Sequence, residues 1–327
     1  RQVIASCFTP HALFLELLMS NRAIEKPRIL IIQGPTGVGK TEVALALARE
    51  IPVEIINADS MQVHRHMDIG TSKPTREEQK LVPHHLFSII NPDEQFNAAQ
   101  FMGRGRQIIA DICGRGKTPL VAGGTGFYIK ALTSGLVAAP DGDEHLREQL
   151  RSQSRENLAE QLLRVDPETA RRLRPNDLVR IIRALEVFYM TGEPLSQHHR
   201  RHNFADAPYC CLKIFLDRER QCLYRRIEQR VDLMIERGLE QEVRELLAKG
   251  FSPRLRPLQS IGYRQMVELV TGRLSPAAAV REMKKATKRF AKRQLTWFRH
   301  DPEAVRVVLP DQADSIFALV KKFLNIA

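Results

Sequence analysis

Short apolar runs alternate with amphipathic stretches through the first third of the chain, and the runs end at glycine or aspartate. Arg28–Gln33 (RILIIQ) is apolar and β-branched and stops at Gly34, the mark of a strand buried on both faces. Positions 42–50 repeat Val43, Leu45, Ala46, Leu47 and Ala48 without glycine or proline, which predicts a helix. A second strand is expected over 53–56, ending near Asp59. A third is expected over 119–122, followed by Gly123-Gly124-Thr125-Gly126 and a helix from Phe127. Strand, glycine turn and helix in repetition specify an α/β domain with a parallel sheet and sites at the strand C-termini.

From 141 to 205 the texture changes. Eleven Lys/Arg and eleven Asp/Glu are spread over amphipathic segments with no strand-like run, punctuated at Asp166-Pro167, Pro175-Asn176 and Thr191-Gly192-Glu193-Pro194. Positions 209–216 (YCCLKIFL) read as a return to the sheet, with helices over 219–237, 240–249, 263–270 and 276–297. The expected plan is an α/β core over 27–140 and 206–327 and a helical insertion over 141–205. An extension over 1–26 has no assigned role.

Composition narrows the field. With 327 residues, 43% hydrophobic and 27% charged, the chain has ample core for two domains or for one with a large insertion. No run approaches the ~20 apolar residues of a membrane helix; the stretch 12–19 is too short, although a targeting segment or a docked helix both fit it. Five cysteines without a C-x-x-C pair argue against a disulfide scaffold or zinc module and fit a reducing cytosol, so a cytoplasmic protein is expected. The net charge is +12. Eight Lys/Arg fall between Arg281 and Arg299 against the single acid Glu282. A cluster this dense reads as a phosphate-facing surface, nucleic acid being the commonest partner, with a solvated helix face as the bland alternative.

Gly34-Pro35-Thr36-Gly37-Val38-Gly39-Lys40-Thr41 matches G-x-x-x-x-G-K-[ST] between a predicted strand and a predicted helix. The glycines let backbone N–H groups curl around phosphate oxygens, and the helix N-terminus adds positive partial charge. Lys40 supplies a point charge, and the Thr41 hydroxyl is a candidate ligand for Mg²⁺. Nucleotide hydrolases pair such a loop with an aspartate at the end of a second strand. Asp59 could serve, whereas Asp111 reads as helical. A loop that cradles diphosphate can equally stabilise it as a leaving group, without phosphoryl transfer.

The ordered set of motifs resembles the tRNA dimethylallyltransferases (tRNA isopentenyltransferases) in their bacterial form. After the loop at 34–41 come Asp59-Ser60-Met61-Gln62-Val63, Met67-Asp68-Ile69-Gly70-Thr71 with Lys73-Pro74, and Val82-Pro83-His84-His85-Leu86. Then follow Gly123-Gly124-Thr125-Gly126-Phe127-Tyr128, Arg183-Ala184-Leu185-Glu186-Val187, Ile261-Gly262-Tyr263 and Ala291-Lys292-Arg293-Gln294-Leu295-Thr296-Trp297-Phe298-Arg299. Two positions depart: His64 stands where the family usually has tyrosine, and His66 where glycine is common. The resemblance implies a P-loop NTPase-like fold and transfer of a dimethylallyl group from its diphosphate to N6 of adenosine 37, beside the tRNA anticodon. It also implies a diphosphate held by residues 34–41 with Mg²⁺ at Thr41.

The chemistry of that reaction fits the residues. The adenine amine must lose a proton as its C–N bond forms, and Asp59 is placed as the acceptor, a metal or loop ligand being its other reading. By resemblance Arg230 attends the diphosphate and Thr125 lines the reaction channel; a surface ion pair and plain turn chemistry are their alternatives. The same resemblance puts tRNA near Asp59, Ser60, Met61 and Gln62 and near Val179, Arg180, Ile181, Ile182 and Arg183. Lys288, Arg289, Lys292 and Arg293 stack at i,i+4 and can track its phosphates. Met283, Phe290 and Trp297, seven apart, read as one core face. His84 and His85 are adjacent, so their side chains diverge, and they read as strand or loop residues rather than a metal pair. A monomer is expected, with the anticodon stem-loop of tRNA as partner. The competing readings are a P-loop small-molecule or nucleoside kinase, which would need the γ-phosphate of ATP, and a non-catalytic RNA-binding protein, which would leave RNA unchanged.

Overall fold

The computed structural model describes residues 26–137, 139–202 and 206–326, so most of the N-terminal extension lies outside the described residues. Six strands form one sheet: β1 (Arg28–Gln33), β2 (Val53–Asn57), β3 (His84–His85), β4 (Thr118–Gly123), β5 (Cys210–Arg218) and β6 (Ala304–Leu309). Their order is β3-β2-β4-β1-β5-β6 and every pairing is parallel. Parallel neighbours need helical crossovers, which cover both faces of the sheet and explain why β1 and β2 are buried almost throughout. This is the P-loop NTPase-like α/β class expected from the sequence.

Two compact units emerge. Of the described residues, the first comprises 26–95, 107–126 and 208–326 and holds the whole sheet. Its largest core joins Leu30, Ile32, Ile214 and Leu216 of the central strands to Ala44, Leu45 and Leu47 of α1 (Lys40–Glu50). A short α2 (Arg76–Leu81) opens on a capping box between Thr75 and Glu78, and α3 (Ala98–Gly114) contains Asp111 as expected. Behind the sheet, α10 (Arg220–Glu236), α11 (Leu239–Ala248), α12 (Tyr263–Val270) and α13 (Pro276–Phe298) pack around Met67, Val231, Leu239, Tyr263 and Met283.

The second unit comprises, of the described residues, 96–106, 127–137, 139–202 and 206–207. Its elements are most of α4 (Gly126–Ser134) and then α5 (Glu144–Arg151), α6 (Arg155–Val165), α7 (Pro167–Arg172), α8 (Leu178–Thr191) and α9 (Leu195–His202). The boundary falls at residue 127 rather than 141, and a piece from before β4 joins the unit. Aromatic packing is one reason: Phe101 stacks on Tyr128 at 4.4 Å, and the Tyr128 hydroxyl donates to the Phe96 carbonyl. The core of this unit is Leu150, Leu158, Leu162, Ile181, Ile182 and Leu185. Glu186, fully buried, gathers Asp143 N–H, Arg147 and Arg183.

The sequence reading places nothing after position 297, yet β6 extends the sheet beside β5 and α14 (Ala313–Leu324) follows it. A second correction concerns α13. Met283 is buried, but Phe290 is 37% and Trp297 46% exposed. A seven-residue spacing drifts by about 20° per heptad on a straight helix. The buried stripe also changes partner, from Ala279 and Met283 on the helical core to Ala291 on the sheet core. No described helix is long and apolar enough to cross a membrane, and the four described cysteines are free.

Candidate active site

The loop at 34–41 leaves the C-terminal end of the central strand β1 and enters α1. Gly34 admits no side chain, since a Cβ there would lie 2.6 Å from the Leu216 carbonyl oxygen on β5. Gly39 caps α1 with φ 117°, a left-handed conformation that glycine takes without strain. Arginines hold the loop carbonyls: Arg226 donates to Gly37 O at 3.0 Å and Arg218 to Val38 O at 3.3 Å. With carbonyls so engaged, the loop presents an anion site of backbone amides at a helix N-terminus. Lys40 donates to Gly34 O and Pro35 O at 3.0 and 2.9 Å. Desolvation lowers its pKa to about 8, opposed by the charge of Asp59 and reinforced by Arg230.

Asp59 follows β2 and is fixed from its own backbone. The buried Asn57 accepts from Asp59 N–H at 2.9 Å and donates to Asp59 O and Leu86 O. The Asp59 carboxylate accepts from Met61 N–H at 2.8 Å. Thr125 follows β4, and its hydroxyl oxygen accepts from Ser60 N–H at 3.0 Å while its N–H donates to Ala58 O at 3.0 Å. The ends of β2 and β4 are thus tied, and Gly123 sits so close that a Cβ would meet Ala58 O at 2.2 Å. Arg230 reaches in from α10; desolvation lowers its pKa, opposed by Asp59 and reinforced by Arg226. Lys40, Thr41, Asp59, Gln62 and Arg230 line one cavity of about 440 Å³. The structure therefore brings together the loop, Asp59 and Arg230.

The remaining motif residues build the rim. Gln62 donates to Thr71 O and Ser72 O, so its amide is a loop clamp. Glu242, not singled out from the sequence, accepts from Asp68, Ile69 and Gly70 N–H at 2.7–3.2 Å and from the Tyr263 hydroxyl at 2.6 Å. Lys73 pairs with Asp68 at 2.6 Å and donates to Ser88. His66 has φ 63°, which explains why glycine is common at that position, and His64 is buried against Asn91 O. His85 pairs with Glu54 at 2.7 Å and His84 hydrogen-bonds Val82 O at 2.7 Å, so the pair diverges as expected.

A divalent cation in this cavity would rely on few protein ligands. No cluster of three or more His, Cys, Asp or Glu among the described residues could cage a metal. The cavity does offer the oxygens of Thr41 and Asp59. That suits a small divalent cation that takes one or two protein oxygens and completes its shell with water and substrate phosphate.

Two predicted RNA-facing segments look different. On α13, Lys288 pairs with Glu228 and lies 5.4 Å over the Tyr224 ring, and Arg293 lies 5.7 Å over Phe290. A groove of about 870 Å³ between α10 and α13 is lined by Arg281, Lys284, Lys285, Lys288, Arg289 and Lys292. On α8, Val179 is 75% exposed and Arg180 pairs with Asp177 at 2.9 Å. Ile181 and Ile182, however, are 2% and 7% exposed. They belong to the core of the helical unit, because i, i+3 and i+4 positions of an amphipathic helix must face inward. Neither side chain can touch RNA. Arg183 is half committed, to Glu186 and to Pro140 O.

Comparison with known proteins identifies the family. The IPP transferase family model matches residues 62–301 and the isopentenyl transferase model residues 27–84. The chain is similar to the tRNA dimethylallyltransferase of Geobacter metallireducens, 51% identical over 305 residues covering 92% of this chain and 99% of that protein. That of Syntrophobacter fumaroxidans is 52% identical over 279 residues, 84% of this chain and 82% of that one. Among solved structures, the tRNA isopentenylpyrophosphate transferase of Bacillus halodurans superposes with a TM-score of 0.69 at 35% identity, over 92% of this chain and 97% of that one. A eukaryotic dimethylallyltransferase acting on tRNA gives 0.78 at 28% identity, over 92% and 80%.

Proposed function

The chain belongs to the tRNA dimethylallyltransferase family, and from that premise we propose that it alkylates N6 of the adenosine just 3′ of the tRNA anticodon with the dimethylallyl group of dimethylallyl diphosphate. The observation that carries the reading is the joint placement of Lys40, Asp59 and Arg230 around one cavity at the mouth of the loop. A diphosphate in the loop is met by the amides of residues 37–41, by Lys40 and by Arg230. Negative charge grows on its oxygens as the allylic C–O bond breaks, and donors already in place stabilise it without reorganisation. A cation at Thr41 supplies further charge neutralisation when bound.

The adenine nitrogen attacks the allylic carbon, the bonding pair of the C–O bond leaves with diphosphate, and the proton lost from N6 passes to the Asp59 carboxylate. Asn57 fixes the Asp59 backbone at the strand end and Met61 N–H holds its carboxylate, while Thr125 holds the neighbouring Ser60 N–H. The base must leave its stack to reach this cavity. The rim segment 59–62, Val179, Arg180 and Arg183 on the helical unit, and the basic face of α13 are the surfaces we assign to the anticodon stem-loop. The loop, Asp59, Thr125, Arg230 and α13 all belong to one unit of one chain, in keeping with a monomer. The substrate sets the reaction in the cytoplasm.

Incubation with unmodified tRNA and dimethylallyl diphosphate, followed by nucleoside mass spectrometry, tests the reading. A dimethylallyl adduct on adenosine that forms without ATP is expected. Transfer of a γ-phosphate from ATP to a small molecule, with no adduct on RNA, would establish a kinase instead.

A further inference from the structure

No charged residue of α13 is fully buried, yet one polar side chain on this helix is: Gln294, 7% exposed. Its neighbours on the inward stripe, Ala291, Leu295 and Phe298, are apolar, so packing alone calls for leucine or methionine here. The amide is fully engaged. Its oxygen accepts from Thr36 N–H in the diphosphate loop at 2.9 Å, and its nitrogen donates to Gly124 O in the turn after β4 at 2.9 Å. Gly124 has no room for a side chain because the amide fills that space: a Cβ would lie 2.5 Å from the Gln294 nitrogen.

Both partners stand one residue from the chemistry. Thr36, its own N–H taken by Gln294, precedes the run of amides at 37–41. Gly124 precedes Thr125, whose hydroxyl holds Ser60 N–H beside Asp59. The same helix carries Lys288, Arg289, Lys292 and Arg293 within six positions of Gln294. We infer that Gln294 is a positioning residue for the transfer, resting on the prenyl-transfer reading above: its amide spaces the diphosphate loop from the Asp59–Thr125 support and ties both to the basic helix. It touches no reacting atom. A fixed donor–acceptor pair between two loops holds leaving group and proton acceptor in register, and small errors in that register are expensive in rate.

Two variants test this. Gln294→Met keeps length and volume but removes both hydrogen bonds. Its melting temperature and tRNA affinity should stay near wild type. Its single-turnover rate at saturating tRNA and dimethylallyl diphosphate should fall about ten- to a hundred-fold. Gln294→Glu keeps the bond from Thr36 N–H but turns a carboxylate oxygen toward Gly124 O. Burial favours the neutral acid, which regains a proton to donate. Its rate relative to wild type should therefore rise as pH is lowered from about 8 to about 6, a gain that Gln294→Met lacks. A Gln294→Met rate equal to wild type at saturation overturns the inference, as does a loss that only tracks the unfolded fraction. A Gln294→Glu profile parallel to wild type also overturns it. An inactive wild type would overturn the prenyl-transfer reading itself, a separate failure visible in the same assay.

Discussion

The loop at 34–41 and the outer face of α13 both present positive charge, by opposite means. The loop uses backbone amides and one desolvated lysine, held by glycine geometry, by arginines on its carbonyls and by the Gln294 amide. The helix uses long side chains in solvent, several already paired with acids: Lys288 with Glu228, Lys284 with Asp232, Lys285 with Glu282. Preorganised dipoles in a cavity act at full strength on charge that develops during a reaction. Mobile surface charges are screened by salt and contribute affinity and steering instead. The difference suits a leaving group at one and an RNA backbone at the other.

The largest effect should come from inside. Asp59→Asn is expected to slow single-turnover transfer by about 10²–10⁴-fold with tRNA affinity little changed, because shape survives and the proton acceptor is lost; a shifted Mg²⁺ requirement at an intact rate would make Asp59 a metal ligand. Lys40→Ala should retain the fold and lose about 10²–10³ in turnover, read at saturating substrate.

Between these and the surface lies α8, where two adjacent side chains should behave differently. Ile181→Ala should lower unfolding free energy by about 2–4 kcal/mol in denaturant titrations while the folded fraction binds tRNA normally. Arg180→Gln should do the reverse, leaving stability in place and lowering the log–log salt slope of tRNA binding by about 0.7–0.9.

Replacing Lys288, Arg289, Lys292 and Arg293 with Gln should reduce that slope by about 1–2 rather than the ~3 of four full contacts, because Lys288 is committed to Glu228. Parallel lines for variant and wild type would make α13 a solvated surface only. The mildest effect concerns pH. Lys40 carries its charge below about 8 and loses it above. A diphosphate prefers the charged form, so affinity should be full below pH 8 and fall by at most about ten-fold per unit above it. Calorimetry on Lys40→Ala should show no such break.

The legibility of the sequence followed the same divide. The loop could be read residue by residue, because glycines, lysine and threonine at fixed spacing have one backbone solution, and β1 ends where its apolar run ends. The strand β6 could not: Ala304–Leu309 is a short edge strand in which Val305 and Arg306 are exposed in succession, so it lacks the period-2 alternation of a half-buried strand. Gln294 and Glu242 were invisible because each looks like any polar residue on a helix, and only their partners, more than 150 positions away, reveal their work. Ile181 and Ile182 were carried along with a motif whose chain segment adjoins the surface, though their own side chains point the other way. Phe290 and Trp297 misled because a period of seven is not a period of 3.6.

The order of strands also has a consequence for how the protein is made. Strand β1 sits at the centre of the sheet between β4 and β5, but 86 residues, from 124 to 209, separate those two flanks in the chain. At a ribosomal pace of about 5–20 residues per second, β1 waits roughly 4–17 s with one edge unpaired after β4 has been synthesised. Through that interval the nascent chain exposes a run of Ile and Leu with open backbone donors and acceptors. The helical unit, complete before β5 emerges, is then the only part able to fold to completion. Expression yield should therefore depend on chaperones that cover strand edges, and codon changes that slow the 124–209 stretch should lower it.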